Sequence, residues 1–394
     1  MSILWRHKWK TFFAATIGIG AGIYYNRDYV IEKVSQGVQN YIKNMQAGMA
    51  EESKRKNVEE HFEKVQERCI EHTLQFLRAV REHISISLDV RPTLKLLKKA
   101  TEEKDLKRKV VHWKTLLDLK LARVISGVLA VCILDTSFRV QFSILHREAR
   151  KRVAKQAAAP MIEEIKEGDE NQPKDGEEEE NDISPETRAE FIERGWSSIS
   201  ADLDILAKNV LEATTIATEK AGWEGEKFKA RVTDDEVLAV VDTIMDQLKD
   251  QNGSFIGYKV TDSSEQAPAT RRGTMFASAE GSSLLISTMI DEAKHMMTSP
   301  MFTLGLTSSC DKGINALKQL IVDTIKAEAK VKKKTASKGS DVVKLFLAYI
   351  PKAMDRVRAG VFLQNMTDNQ IINVLKAKDE DVDNFCAAVF EDEA

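Results

Sequence analysis

The sequence predicts an all-α protein: a single elongated helical bundle with a long central helix, preceded by one N-terminal transmembrane helix. Three observations predict it. Seven prolines and 19 glycines are too few breakers in 394 residues for a many-stranded fold. From about residue 50 onward, apolar residues recur at helical spacing. One uncharged run near the amino terminus stands apart from that periodicity.

That run is residues 11–26, TFFAATIGIGAGIYYN, set between Arg6, His7, Lys8 and Lys10 on one side and Arg27 and Asp28 on the other. As a helix it spans about 24 Å at ~1.5 Å per residue, a little under the roughly 30 Å of a hydrocarbon layer. Trp5 and Trp9 before it, and Tyr25 and Tyr29 at its end, supply interfacial aromatics that extend a span. Thr11, Phe12, Phe13, Ile17, Ile19, Ile23 and Tyr24 are therefore expected to form the membrane anchor, behind a short basic tail of residues 1–10. A cleaved secretory signal has the same basic-then-apolar order. The cysteines, at 69, 132, 310 and 386, show no disulfide framework of a secreted chain and are expected to be small buried apolar residues. The positive-inside rule would keep the basic tail cytosolic, but the charge difference between the two flanks is small.

Residues 27–394 are expected to form the helical-bundle domain. One stripe runs Phe62, Val65, Cys69, Thr73, Phe76, Leu77, Val80; another runs Val237, Leu238, Val241, Ile244, Met245, Leu248. A third runs Ile286, Met289, Ile290, Ala293, Met296, Met297. Starts are marked by a Thr233–Glu236 capping box, a Thr367–Gln370 capping box, and Ser184 followed by Pro185. Flexible loops are expected near 160–187, which holds four consecutive glutamates at 177–180, near 261–274, and near 326–341, which holds a lysine run. Phe255 to Val260 is the one short strand candidate.

Residues 116–145 are expected to be the central helix. Their longest uncharged piece, Val124 to Leu134, is 11 residues, too short to cross a membrane. Being apolar around most of its circumference, it belongs inside the bundle. Asp135 and Arg139 lie four apart and can pair on one face.

No catalytic pattern accompanies these elements. The sequence contains no phosphate-binding P-loop, no H-E-x-x-H and no G-x-S-x-G. His61, His72 and His83 recur every 11 residues but would stand about 16 Å apart along a helix, too far to share a metal. No enzyme activity and no cofactor are expected. The net charge of −3 offers nucleic acid no electrostatic footprint. Trp113, in the basic stretch EKDLKRKVVHW, suits an exposed contact for an acidic helix. It suits the core equally, with Leu116 and Leu117 on the next turn.

Arg123, Cys132 and the triplet Arg139-Val140-Gln141 resemble the signature helix of the peroxin-3 family, in which an arginine precedes an apolar run ending in R-[VI]-Q-L. TLKLLK at 93–98 followed by Trp113, and MTSPMF at 297–302 with Cys310 and Gly313, resemble further family segments. The resemblance implies a single-pass peroxisomal membrane protein whose short tail lies inside the organelle and whose large helical domain faces the cytosol. It implies one partner, peroxin-19, the soluble receptor for peroxisomal membrane proteins, which would lay an N-terminal amphipathic helix into an apolar groove. Trp113 would anchor the groove beside Leu97, and Lys107 or Lys109 would meet the acidic side of the visiting helix. The other function the residues admit is a helical tether or scaffold in another organelle membrane.

Overall fold

Residues 116–145 cannot hide their apolar side chains on one helical face, so neighbouring helices must cover them from several sides. The computed structural model describes residues 65–158, 183–223, 231–258, 280–333, 344–346, 349–363, 368–377 and 380–391. They all fall within the unit Lys64–Ala394. Helix α1 covers residues 65–87 and α2 covers Arg91–Glu102. The 53-residue α3, Leu106–Ala158, follows, and α4, Pro185–Lys220, comes next. Then come α5 (Asp234–Gln247), α6 (Glu280–Met297) and α7 (Pro300–Lys333). Three short helices end the described chain: α8 (Ile350–Val361), α9 (Gln370–Leu375) and α10 (Glu380–Glu391).

Every residue from Leu121 to Leu145 is buried. Helix α3 packs against α2, α4 and α6 to α10. Helix α1 runs antiparallel beside it, as paired contacts show: His72 stacks on Phe142, Phe76 on Phe138, and Arg123 reaches Ser85 and Leu88. The expected stripes supply the cover. Val65, Cys69, Thr73, Leu77 and Val80 are buried on α1, and Val237, Val241, Ile244 and Met245 on α5. All four cysteines are free and buried, and burial pushes the Cys386 thiol up to about 12.

Three arginines sit inside this interior, each bonded to carbonyls at a helix end. Arg123 Nε donates to the Leu88 carbonyl and Nη2 to the Ser85 carbonyl, both at 2.7 Å, where α1 stops. Arg139 Nη2 donates to the carbonyl of Leu375, the last residue of α9, at 2.8 Å. Arg139 Nε also bonds Asp135 at 3.0 Å, the intrahelical pair the spacing predicts. Arg147 Nη1 donates to the Val389 carbonyl in the last turn of α10, at 3.1 Å, while Nη2 pairs with Glu292 of α6. The last carbonyls of a helix lack internal partners and carry its negative dipole end, so a guanidinium satisfies both needs.

The Thr233–Glu236 capping box is present, and Ser184 accepts the Thr187 N–H ahead of Pro185. Other expectations are corrected. The residue capping α9 is Asn369, whose side chain accepts from Ile371 and Ile372, rather than Thr367; an Asn carbonyl spans both orphan donors. The loop expected over 326–341 is corrected over 326–333, where α7 continues to Lys333: lysine is a good helix former, and its charge does not end a helix; residues 334–341 lie outside the described residues. The loop expected over 160–187 is corrected at its end, where α4 starts at Pro185; residues 160–182 lie outside the described residues. The strands lie elsewhere than expected. Arg231–Thr233 pairs antiparallel with Lys344–Phe346, while Phe255 makes only an isolated bridge to Lys249. The expected loop over 261–274 lies outside the described residues.

Gly313 lets α7 approach α3 closely. A Cβ there would stand 2.6 Å from the Cys132 sulfur and 3.1 Å from Val128 Cγ1. Gly313→Ala should therefore destabilise the domain by about 1–3 kcal/mol in urea unfolding, despite alanine's better helix propensity. Arg139→Ala should cost roughly 3–5 kcal/mol in the same measurement, because it removes the guanidinium from Asp135 and from the Leu375 carbonyl in the interior.

Candidate docking face

Helices α2 and α3 form a hairpin whose turn is fixed by its own hydrogen bonds. The Asp105 N–H reaches back to the Ala100 carbonyl at 3.0 Å, and the Lys104 N–H to Thr101 at 3.3 Å. This double closure is the Schellman motif, and it holds Lys104 at φ 57°, the left-handed region that glycine usually occupies. Asp105 Oδ1 then accepts the Arg108 N–H at 3.0 Å, opening α3.

The apolar stripe of α3 outruns its cover. Leu106, Val110, Trp113, Leu117 and Leu121 follow one another at helical i, i+4 and i+3 steps, so they share a face. Leu117 and Leu121 are buried; Trp113 and Val110 are half-buried; Leu106 is 71% exposed. Val111 beside them is 61% exposed. On α2, Leu97 is half-buried and shares a face with the buried Thr93 and Ala100, while Leu94 and Leu96 are 41% and 49% exposed. The hairpin thus carries four exposed large apolar side chains along with the half-buried Leu97 and Trp113.

Its charge is one-sided. Between Arg91 and Lys114 stand nine lysines and arginines against three acids, in a chain whose net charge is −3. Some of these cations are occupied: Lys98 pairs with Glu102, Lys99 with Glu103, and Arg108 with Asp105. Lys114 binds Asp118 at 3.4 Å and Glu219 of α4 at 3.1 Å, tying the base of the hairpin to the bundle. Burial raises the Asp118 carboxyl above its usual range, while the Thr218 hydroxyl and Lys114 pull it down. Lys107 is exposed and Lys109 half-buried, and neither forms an ion pair with a described residue.

The four residues expected to bind a partner, Leu97, Trp113, Lys107 and Lys109, therefore lie on the two helices of one hairpin. Leu94, Leu96 and Leu106 went unread as surface residues. The signal for Leu106 was the continuation of the Trp113 stripe through Val110 by two further helical steps. The expected anchor residues, Thr11, Phe12, Phe13, Ile17, Ile19, Ile23 and Tyr24, lie outside the described residues. Among the described residues, no helix is long and apolar enough to cross a membrane and no group of three potential ligands could hold a metal.

Lys104→Gly should stabilise the domain by about 0.5–1 kcal/mol, read as a rise in the thermal midpoint, because glycine adopts the left-handed turn without a Cβ penalty. No family model and no curated protein matches the chain.

Proposed function

We propose that the α2–α3 hairpin is the docking face of a membrane-anchored factor in peroxisome biogenesis, and that its ligand is an amphipathic helix of peroxin-19. The observation that carries the reading is the stripe from Leu106 to Trp113, which continues the core stripe of α3 beyond the helices that cover it. An uncovered apolar stripe on a soluble domain marks an interaction surface. A visiting helix with apolar residues at i, i+3, i+4 and i+7 would complete the packing that α3 lacks at this end. The surplus of lysine and arginine around the stripe selects a helix with acidic flanks. Trp113 has the chemistry of a central anchor: a large, half-buried ring. Lys107 and Lys109 would steer the approach more than they would tighten the complex, since exposed cations act mainly on the association rate. In this reading residues 11–26 hold the domain at the organelle surface, with the helical domain in the cytosol.

Trp113→Ala should weaken binding of a peptide from the receptor's amino-terminal helix by ~2 kcal/mol or more, about thirtyfold, with the helical circular-dichroism signal unchanged. Unchanged affinity in a folded variant would remove the hairpin from the interface. Lys107→Glu with Lys109→Glu should slow association and flatten its dependence on salt, with a smaller change in dissociation, as measured by stopped flow.

A further inference from the structure

Helix α4 ends in a tight turn. The Trp223 N–H reaches back to the Thr218 carbonyl at 3.0 Å and the Gly222 N–H to the Glu219 carbonyl at 2.8 Å, with Gly222 at φ 67°. This is again the Schellman closure, here with glycine in the left-handed position, and it folds Trp223 back against the end of its own helix. Trp223 is buried there, with Ala217 of α4 and Val240 of α5.

These three side chains floor a cleft of about 290 Å³ between α4 and α5. It stays open because the side chains at its rim that could fill it are the exposed Ala221 and Ala239. Its size lies just below the roughly 300–1,000 Å³ of small-molecule sites and suits a protein side chain better. The rim also carries Lys220 and Glu236. The Glu236 carboxylate is committed to the capping box, where it accepts the Thr233 N–H at 2.7 Å. Lys220 is exposed and forms no ion pair with a described residue. The free charge at the rim is therefore positive, as it is on the hairpin.

The cleft also lies at the hairpin end of the bundle. Lys114 of α3 binds Glu219, the residue before Lys220, at 3.1 Å. We infer that this cleft is a second pocket of the docking face, taking one large apolar side chain from the segment of peroxin-19 that adjoins the docked helix, with an acidic neighbour of that side chain at Lys220. The inference rests on the docking reading of the hairpin. A leucine and valine stripe alone lets a visiting helix slide by a turn, whereas a pocket on other helices fixes its register. Desolvated pockets that hold one large side chain are where binding energy concentrates.

The test compares full-length peroxin-19 with a peptide of its amino-terminal helix alone, both binding to the full-length chain. Ala221→Trp and Ala239→Trp fill the cleft from exposed rim positions. Each should weaken the full-length receptor about fivefold or more and leave the peptide unchanged, while Ala239→Ser should alter neither. If the tryptophan variants bind the receptor as the unaltered chain does while Trp113→Ala weakens it, the second pocket is overturned and the hairpin reading stands. If Trp113→Ala leaves binding of receptor and peptide unchanged, the hairpin reading fails and this inference with it. Equal loss for receptor and peptide in the tryptophan variants also overturns the pocket, because the filling has then disturbed the hairpin. Should those variants fail to fold, Ala239→Cys decides, since the four native thiols are buried. The full-length receptor should slow maleimide labelling of that thiol and the helix peptide should not; labelling at an unchanged rate overturns the pocket.

Discussion

The fold depends on burying a helix that carries three guanidinium groups while giving each of them hydrogen-bond partners. Helix α3 carries arginine, aspartate, glutamine and several hydroxyls through a segment that meets no water. An isolated buried guanidinium would be ruinous. Here each is placed where a surrounding helix ends and its final carbonyls need donors, at Ser85 and Leu88, at Leu375 and at Val389. The exchange is reciprocal. The central helix gains partners for its charges, and α1, α9 and α10 gain caps that their own sequences do not provide. It also fixes register, because sliding any of these helices by a turn would break a buried charged hydrogen bond. Arg123 and Arg139 are thus positioned to organise the interior.

Close packing follows from that register. Where α7 and α8 cross α3, glycines admit the neighbour: Gly313 faces Cys132, and Gly127 faces the Phe362 ring. A Cβ at Gly127 would approach the Phe362 ring to 2.8 Å. At a third crossing Gly195 of α4 lies against the buried amide of Gln141. Helix interiors lose stability with glycine, so its use at these crossings reflects contact distance rather than backbone freedom. Dense contacts in the middle of α3 give way at its amino-terminal end, which presents an apolar stripe among lysines.

Much of this was written in the sequence. The scarcity of breakers and the stripes on α1, α5 and α6 gave the helical class, because side-chain periodicity is a local property. Helix starts were legible where a capping pair is contiguous, as at Thr233 and Ser184. They were misread at Asn369, where a competing acceptor stands two residues further on. The lysine run at 330–334 was misleading because charge and helix propensity are separate properties. A buried 116–145 could be anticipated from composition, since no other place suits a helix apolar all round. The Asp135–Arg139 pair could be anticipated from spacing alone.

What the tertiary structure alone decided is which partners complete each residue. Arg123, Arg139 and Arg147 find carbonyls between 35 and 242 positions away in sequence, and no local pattern encodes such distances. The half-burial of Trp113 was likewise undetermined by its neighbours. Leu116 and Leu117 argue for the core and the lysines for the surface, and the outcome depends on where the covering helices stop. Sequence fixes what a residue can do through its own chemistry and its nearest turns. Exposure and cleft formation depend on how far each packed helix extends, a property of the whole assembly.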